Sequence, residues 1–130
     1  VSSHIWSTTQ LSADELPPLH GLLFGVFRVV DSRIEVAGAS SQTYSYIDFA
    51  FGSDDGFIAG VHRFSMAREV VDATGEKEAG NKTNVIIEFA HSGCNPRENK
   101  PLKPDFLQTL HLWYAMLLFK EGIAEVGKAT

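Results

Sequence analysis

Apolar and polar positions alternate with a period of two through several stretches of the first ninety residues, and the spacing turns helical near the end. From Thr43 to Phe51 (TYSYIDFAF) the alternation predicts a strand with Ser45, Ile47, Phe49 and Phe51 on one face. Tyr44, Tyr46, Asp48 and Ala50 take the other face. A second strand is predicted from about Ile58 to Val70, with His62, Phe64 and Met66 opposed to Val61, Arg63 and Ser65. A third, Asn84 to Ser92, sets Val85, Ile87, Phe89 and His91 against Ile86, Glu88, Ala90 and Ser92. Leu22 to Val30 is apolar on both faces, as expected of a strand covered on both sides. Asp31-Ser32 then reads as a turn into Arg33-Ile34-Glu35-Val36, predicting a hairpin.

The polar breaks fall between these runs. Gly52 to Gly56, the charged segment Asp72 to Asn81, and Gly93 to Lys103 all read as loops. Residues 1–21 are irregular. Ser12-Ala13-Asp14-Glu15 has capping-box spacing, but Pro17-Pro18 stops any helix within about one turn. A helix is predicted over residues 104–126, with Pro104 at its first position, Asp105 favouring the positive end and Gly127 as its stop. Phe106, Leu110, Trp113 and Leu117 share one arc, Leu112, Met116, Phe119 and Ile123 a second, and Leu107, Tyr114 and Leu118 a third. A helix apolar on so many sides wants burial on more than one. The expected architecture is α+β, an antiparallel sheet of about five strands over residues 22–92 with one long C-terminal helix lying across it, in a single domain spanning residues 1–130.

Composition narrows the function classes. Apolar residues make up 44% of the 130 and charged residues 21%, an ordinary globular balance. A formal charge of −5 with no basic run argues against nucleic acid as a partner. No run of about 18 apolar residues predicts a membrane span. Residue 1 is Val rather than Met, which leaves processing or a longer parent chain open; no basic-then-apolar leader pattern follows it. The lone Cys94 excludes an internal disulfide framework and leaves the compartment undetermined. Asn81-Lys82-Thr83 has the form of a glycosylation sequon, relevant only in a secreted protein.

Three segments resemble an uncharacterised plant and actinobacterial family. Leu19-His20-Gly21-Leu22-Leu23 leading into Phe27-Arg28-Val29-Val30 resembles its LGPLL…CRVV strand. Phe51 to Phe57 and Gly60-Val61-His62-Arg63-Phe64 stand where its YGTLxGHxxxGExRF signature falls, after a one-residue deletion. Val85 to Glu88 with Ser92 to Pro96 resembles its VWYEI…SFSKP strand and loop. The likeness spans about residues 19–126 and implies a helix-grip architecture of the Bet v 1 and START-like kind. The Tyr, His and Glu of the signature are replaced by Phe51, Phe57 and Val61, so any acid–base role they had does not carry over. The family supplies a fold rather than a reaction.

Candidate chemistry is sparse. The five histidines, His4, His20, His62, His91 and His111, show no ligand spacing, so no metal or other cofactor is expected, although His62 and His91 could meet across neighbouring strands. For acid–base chemistry the candidates are His62, His91 and Asp48, as in a cofactor-free isomerase or cyclase acting on a polyketide or terpenoid. Parity places Glu88 away from His62. Cys94 lacks an adjacent activating base, and Ser53 lacks the nucleophile-elbow pattern. What stands out is apolar surface in Leu22 to Phe27 and in the helix. The expected function is a non-catalytic module holding a lipid, isoprenoid or pigment between sheet and helix, against Phe49, Phe64, Phe89, Trp113, Met116 and Leu117. A structural subunit that docks through its apolar helix, as a homo-oligomer or in a larger complex, is the alternative, and the isomerase or cyclase the third.

Overall fold

A computed structural model describes residues 3–36, 42–71, 82–103 and 105–129. The strands are β1 (His4–Ile5), β2 (Leu22–Leu23), β3 (Phe27–Arg33), β4 (Gln42–Gly52), β5 (Ala59–Val71), β6 (Lys82–Asn95) and β7 (Lys100–Pro101). They form one sheet whose spatial order follows the chain order, β1 to β7. β1 pairs with β2 in parallel, and β2 to β6 are joined by antiparallel pairings. The helix α1 (Phe106–Ala129) follows. The chain divides into two compact units, Val1–Lys100 and Pro101–Thr130, and each is described in its own right. The class is α+β and helix-grip-like in its order, all strands first and the long helix last, with seven strands among the described residues where about five were expected.

The first difference from expectation lies at the N-terminal end of the sheet. Leu22 to Val30 is not one strand. The chain turns at Phe24 and Gly25, whose φ values of 52° and 71° are both positive, and Val26 N–H donates to Leu23 C=O at 3.0 Å. Positive φ at two successive turn residues suits the right-handed twist of a tight hairpin. Conversely, Asp31-Ser32 is not a turn, and β3 runs straight through it. The register against β4 shifts there, from Val29 opposite Phe49 to Asp31 opposite Asp48, leaving Val30 as the extra residue of a bulge. The polar pair is accommodated by a change of face instead of a reversal of direction.

The other sequence-based boundaries moved modestly. β5 is shifted by one residue from the prediction and β6 extends beyond it at both ends, and the expected loop after Gly93 contains a four-residue turn, Pro96 to Asn99, that returns the chain as β7. The true capping box precedes a short 3₁₀ turn, Thr8–Gln10, and belongs to Ser7 and Gln10. Ser12 Oγ still accepts from the Asp14 and Glu15 amides, both at 3.1 Å, without a helix behind it. α1 starts after Asp105, whose carboxylate accepts from Gln108 N–H at 2.7 Å as an N-cap. It runs past Gly127, since one helical glycine costs only about 1 kcal/mol. Lys128 near its end suits the helix dipole and pairs with Glu125 at 2.6 Å. The predicted position of Pro104 and the loop Asp72 to Asn81, including the first sequon residue, lie outside the described residues.

The buried apolar core among the described residues is small: Ile5, Leu23, Val29 and Ile47, with Phe27 and Phe49 packed against it. Backbone bonds close it. Leu22 N–H donates to Ser3 C=O and Phe24 N–H to Ile5 C=O, which ties β1 to β2. At the far end of β4, Gly52 sits at φ 99°, and a Cβ there would fall 2.5 Å from Ile58 C=O. Only glycine fits where β4 hands over to the loop before β5.

Candidate functional site

The two faces of the sheet differ in chemistry, and the register explains how. Phe49 opposes His62, and His62 opposes His91; Ile47 opposes Phe64, and Phe64 opposes Phe89. Every one of these side chains therefore lies on one face. The ring centroid of His62 stands 4.8 Å from Phe51, 4.9 Å from His91, 5.2 Å from Phe89 and 5.7 Å from Phe27. Phe64 lies 4.9 Å from Phe89 and 6.1 Å from Phe49. These separations fall in the range where aromatic pairs attract, each contributing about 0.5–1.5 kcal/mol beyond simple burial. The result is a continuous aromatic platform across β3 to β6.

One end of the platform is concave. Leu23, Phe24, Phe27, Phe49, His62 and Phe64 line a groove of about 200 Å³. Its wall is built by the β2–β3 turn, because positive φ at Phe24 and Gly25 brings Phe24 and Phe27 back towards β4 and β5. His62 is the one polar side chain in the lining.

The opposite face carries the charges. Asp48, buried, accepts two bonds from Arg63, at 2.7 Å from Nε and 2.6 Å from Nη2. This fork-to-fork pairing holds the guanidinium still more firmly protonated than usual. Arg63 also lies over the Tyr46 ring, 4.3 Å from its centroid. Tyr46 in turn donates its hydroxyl to Asp31 at 2.9 Å, and that bond raises its pKa above the ordinary value. Asp31 and Asp48 oppose one another across β3 and β4, so the two carboxylates are separately satisfied, one by a phenol and one by a guanidinium. A second, more polar concavity of about 470 Å³ lies farther along this face, with Tyr44, Glu69 and Asn84 in its wall.

The predicted site residues sort accordingly. Phe49, Phe64 and Phe89 are brought together on the platform. His62 and His91 meet as directly opposed neighbours, but Asp48 lies on the other face with Arg63, and Glu88 lies on that face too, opposite Ser65. Neither carboxylate is thus delivered to the histidines. Among the described residues no three His, Cys, Asp or Glu side chains group to hold a metal ion. Trp113, Met116 and Leu117 occupy successive positions along α1, each more than half exposed. No helix among the described residues is long and apolar enough to cross a membrane. Leu23, Phe24 and Phe27 were not among the predicted lining residues, although the apolar surface of Leu22 to Phe27 stood out in the sequence. No family model, curated protein or solved structure matches this chain.

Proposed function

We propose that the protein is a non-catalytic binding module for a small apolar ligand, seated on the aromatic face of the sheet. The observation that carries this is the groove of about 200 Å³ walled by Leu23, Phe24, Phe27, Phe49 and Phe64 with His62. A dry apolar cavity of about 150 Å³ accepts benzene, so this groove suits a ring-sized ligand or the end of a longer isoprenoid or acyl chain. Asp48 and Glu88 both lie on the face opposite His62 and His91, which favours binding over an acid–base enzyme that would pair those groups. Membership of the plant and actinobacterial family belongs with the same proposal, and rests on the short segments that resemble it. A second reading, a subunit docking through α1, is supported by the apolar residues spread around that helix, from Phe106 through Trp113 to Ile123.

The test uses an environment-sensitive naphthalene sulfonate dye with the full chain. Saturable uptake by folded protein, displaced by a short-chain aromatic alcohol and lost in Phe64→Asp with unchanged circular dichroism, is the expected result. Dye uptake that is absent, or equal in Phe64→Asp, would refute binding at this groove.

A further inference from the structure

We propose that β6 is a self-association edge: two copies of the chain pair antiparallel through the segment Asn84–Glu88, about a two-fold axis at Ile86. A strand edge exposes a row of backbone donors and acceptors, and proteins that leave one open usually blunt it with proline, lysine, a bulge or shortness. β6 uses none of these from Thr83 to Ser92, where its one charged residue is Glu88. It is 14 residues long, and its register with β5 runs without a shift from Val71 opposite Lys82 to Ala59 opposite Cys94. On its other side β7 is two residues long and follows the turn at Pro96 to Asn99, at the far end of β6. Among the described residues Thr83–Glu88 therefore has a strand neighbour on one side only. The opposite edge of the sheet is protected by brevity, since β1 is two residues. Val85 and Ile86 are 50% and 55% exposed on this segment, a large apolar exposure for adjacent β-branched residues.

The sequence selects a second copy as the occupant. When a strand pairs antiparallel with itself, opposed residues have a constant index sum, and they share a face only if that sum is even. The axis therefore passes through a residue. At Glu88 it would oppose two carboxylates directly, and at Ile87 it would set Ile86 against the partner's Glu88. At Ile86 the pairs are Ile86 with itself, Val85 with Ile87, and Asn84 with Glu88, each of the last two occurring twice. That register meets like with like on the aromatic face and places an amide against a carboxylate on the polar one. Within Asn84–Glu88 it leaves no charge opposite an apolar side chain. The aromatic platform then continues across the axis as one larger sheet face. This inference is independent of whether the groove holds a ligand.

Sedimentation velocity of the full chain from micromolar to several hundred micromolar is the experiment, with circular dichroism on each variant. The wild type should dimerise reversibly. Ile86→Lys brings two ammonium groups together on the axis and should raise the dissociation constant at least about tenfold. Asn84→Lys faces the partner's Glu88 twice and should tighten the dimer about threefold or more. In a Cys94→Ser background, Ile86→Cys should cross-link to itself under mild oxidation, because directly opposed Cα atoms lie within disulfide range. A wild type that stays monomeric throughout the range overturns the proposal. So does a dimer that Ile86→Lys leaves unchanged, or one weakened by Asn84→Lys, or a folded Ile86→Cys protein that fails to cross-link.

Discussion

Gly60→Ala is the substitution whose outcome the structure defines most sharply. Gly60 lies opposite Phe51 on β4 and opposite Gly93 on β6. A Cβ at this position would stand 2.2 Å from Ser92 C=O, 2.8 Å from Phe51 Cζ and 3.0 Å from Gly93 Cα. The phenyl ring could swing aside, but the carbonyl belongs to the backbone of the neighbouring strand and must move by about an ångström to reach ordinary contact. Overpacking of this kind costs about 1–3 kcal/mol, against a total stability for a domain of about 5–15 kcal/mol. Phe51 also stacks on His91, 5.9 Å away, so the same methyl would disturb the platform. Gly122 supplies the control. It lies inside α1 with nothing within 4 Å of its hypothetical Cβ, and Gly122→Ala should stabilise by about 0.4–1 kcal/mol. Guanidinium unfolding followed by circular dichroism gives both midpoints. The steric reasoning fails if Gly60→Ala unfolds at the wild-type midpoint or above it.

Four further outcomes are expected. Ile47→Ala removes one of the few fully apolar core side chains and should cost about 2–5 kcal/mol by urea unfolding, the small core leaving little else to compensate. Asp48→Ala deprives Arg63 of its two carboxylate acceptors; with the guanidinium partly in water the loss should be about 1–2 kcal/mol, measured in the same way. Tyr46 has its pKa raised in the folded state, chiefly by donating to Asp31, so its contribution is complete below pH 10 and disappears as pH climbs through the raised value. Ultraviolet titration should show a phenol ionising above pH 10, and Tyr46→Phe should remove that phase. Asp105→Ala deletes the N-cap of α1 and should lower helical ellipticity with a loss of about 1 kcal/mol.

The strands β4, β5 and β6 were legible from the sequence because two-residue alternation is a direct record of which side a residue occupies. That same parity correctly separated His62 from Glu88. The early hairpin was not legible. Asp31-Ser32 has turn composition, yet β4 offers those residues a phenol and a register shift, and tertiary context overrode local preference. Asp105 marked the start of the helix because a short carboxylate can satisfy an orphaned amide. Gly127 misled about the end, since glycine weakens a helix without ending it. Within the site, Phe49, Phe64, Phe89 and the histidines followed from parity. Phe24 and Phe27 did not, because their place in the groove depends on two positive φ angles that a run of apolar residues does not announce.

The extra residue at Val30 decides on which side of the sheet an acid points. With the bulge, Asp31 stands opposite Asp48 beside the Tyr46 hydroxyl; were Val30 instead paired with Asp48 in regular register, Asp31 would fall opposite Ile47, on the face that carries the phenylalanines. Deleting Val30 would place Asp31 directly after Val29 and so keep it opposite Asp48, and the deletion should be tolerated on this face much as replacement is, since Val30 itself is exposed.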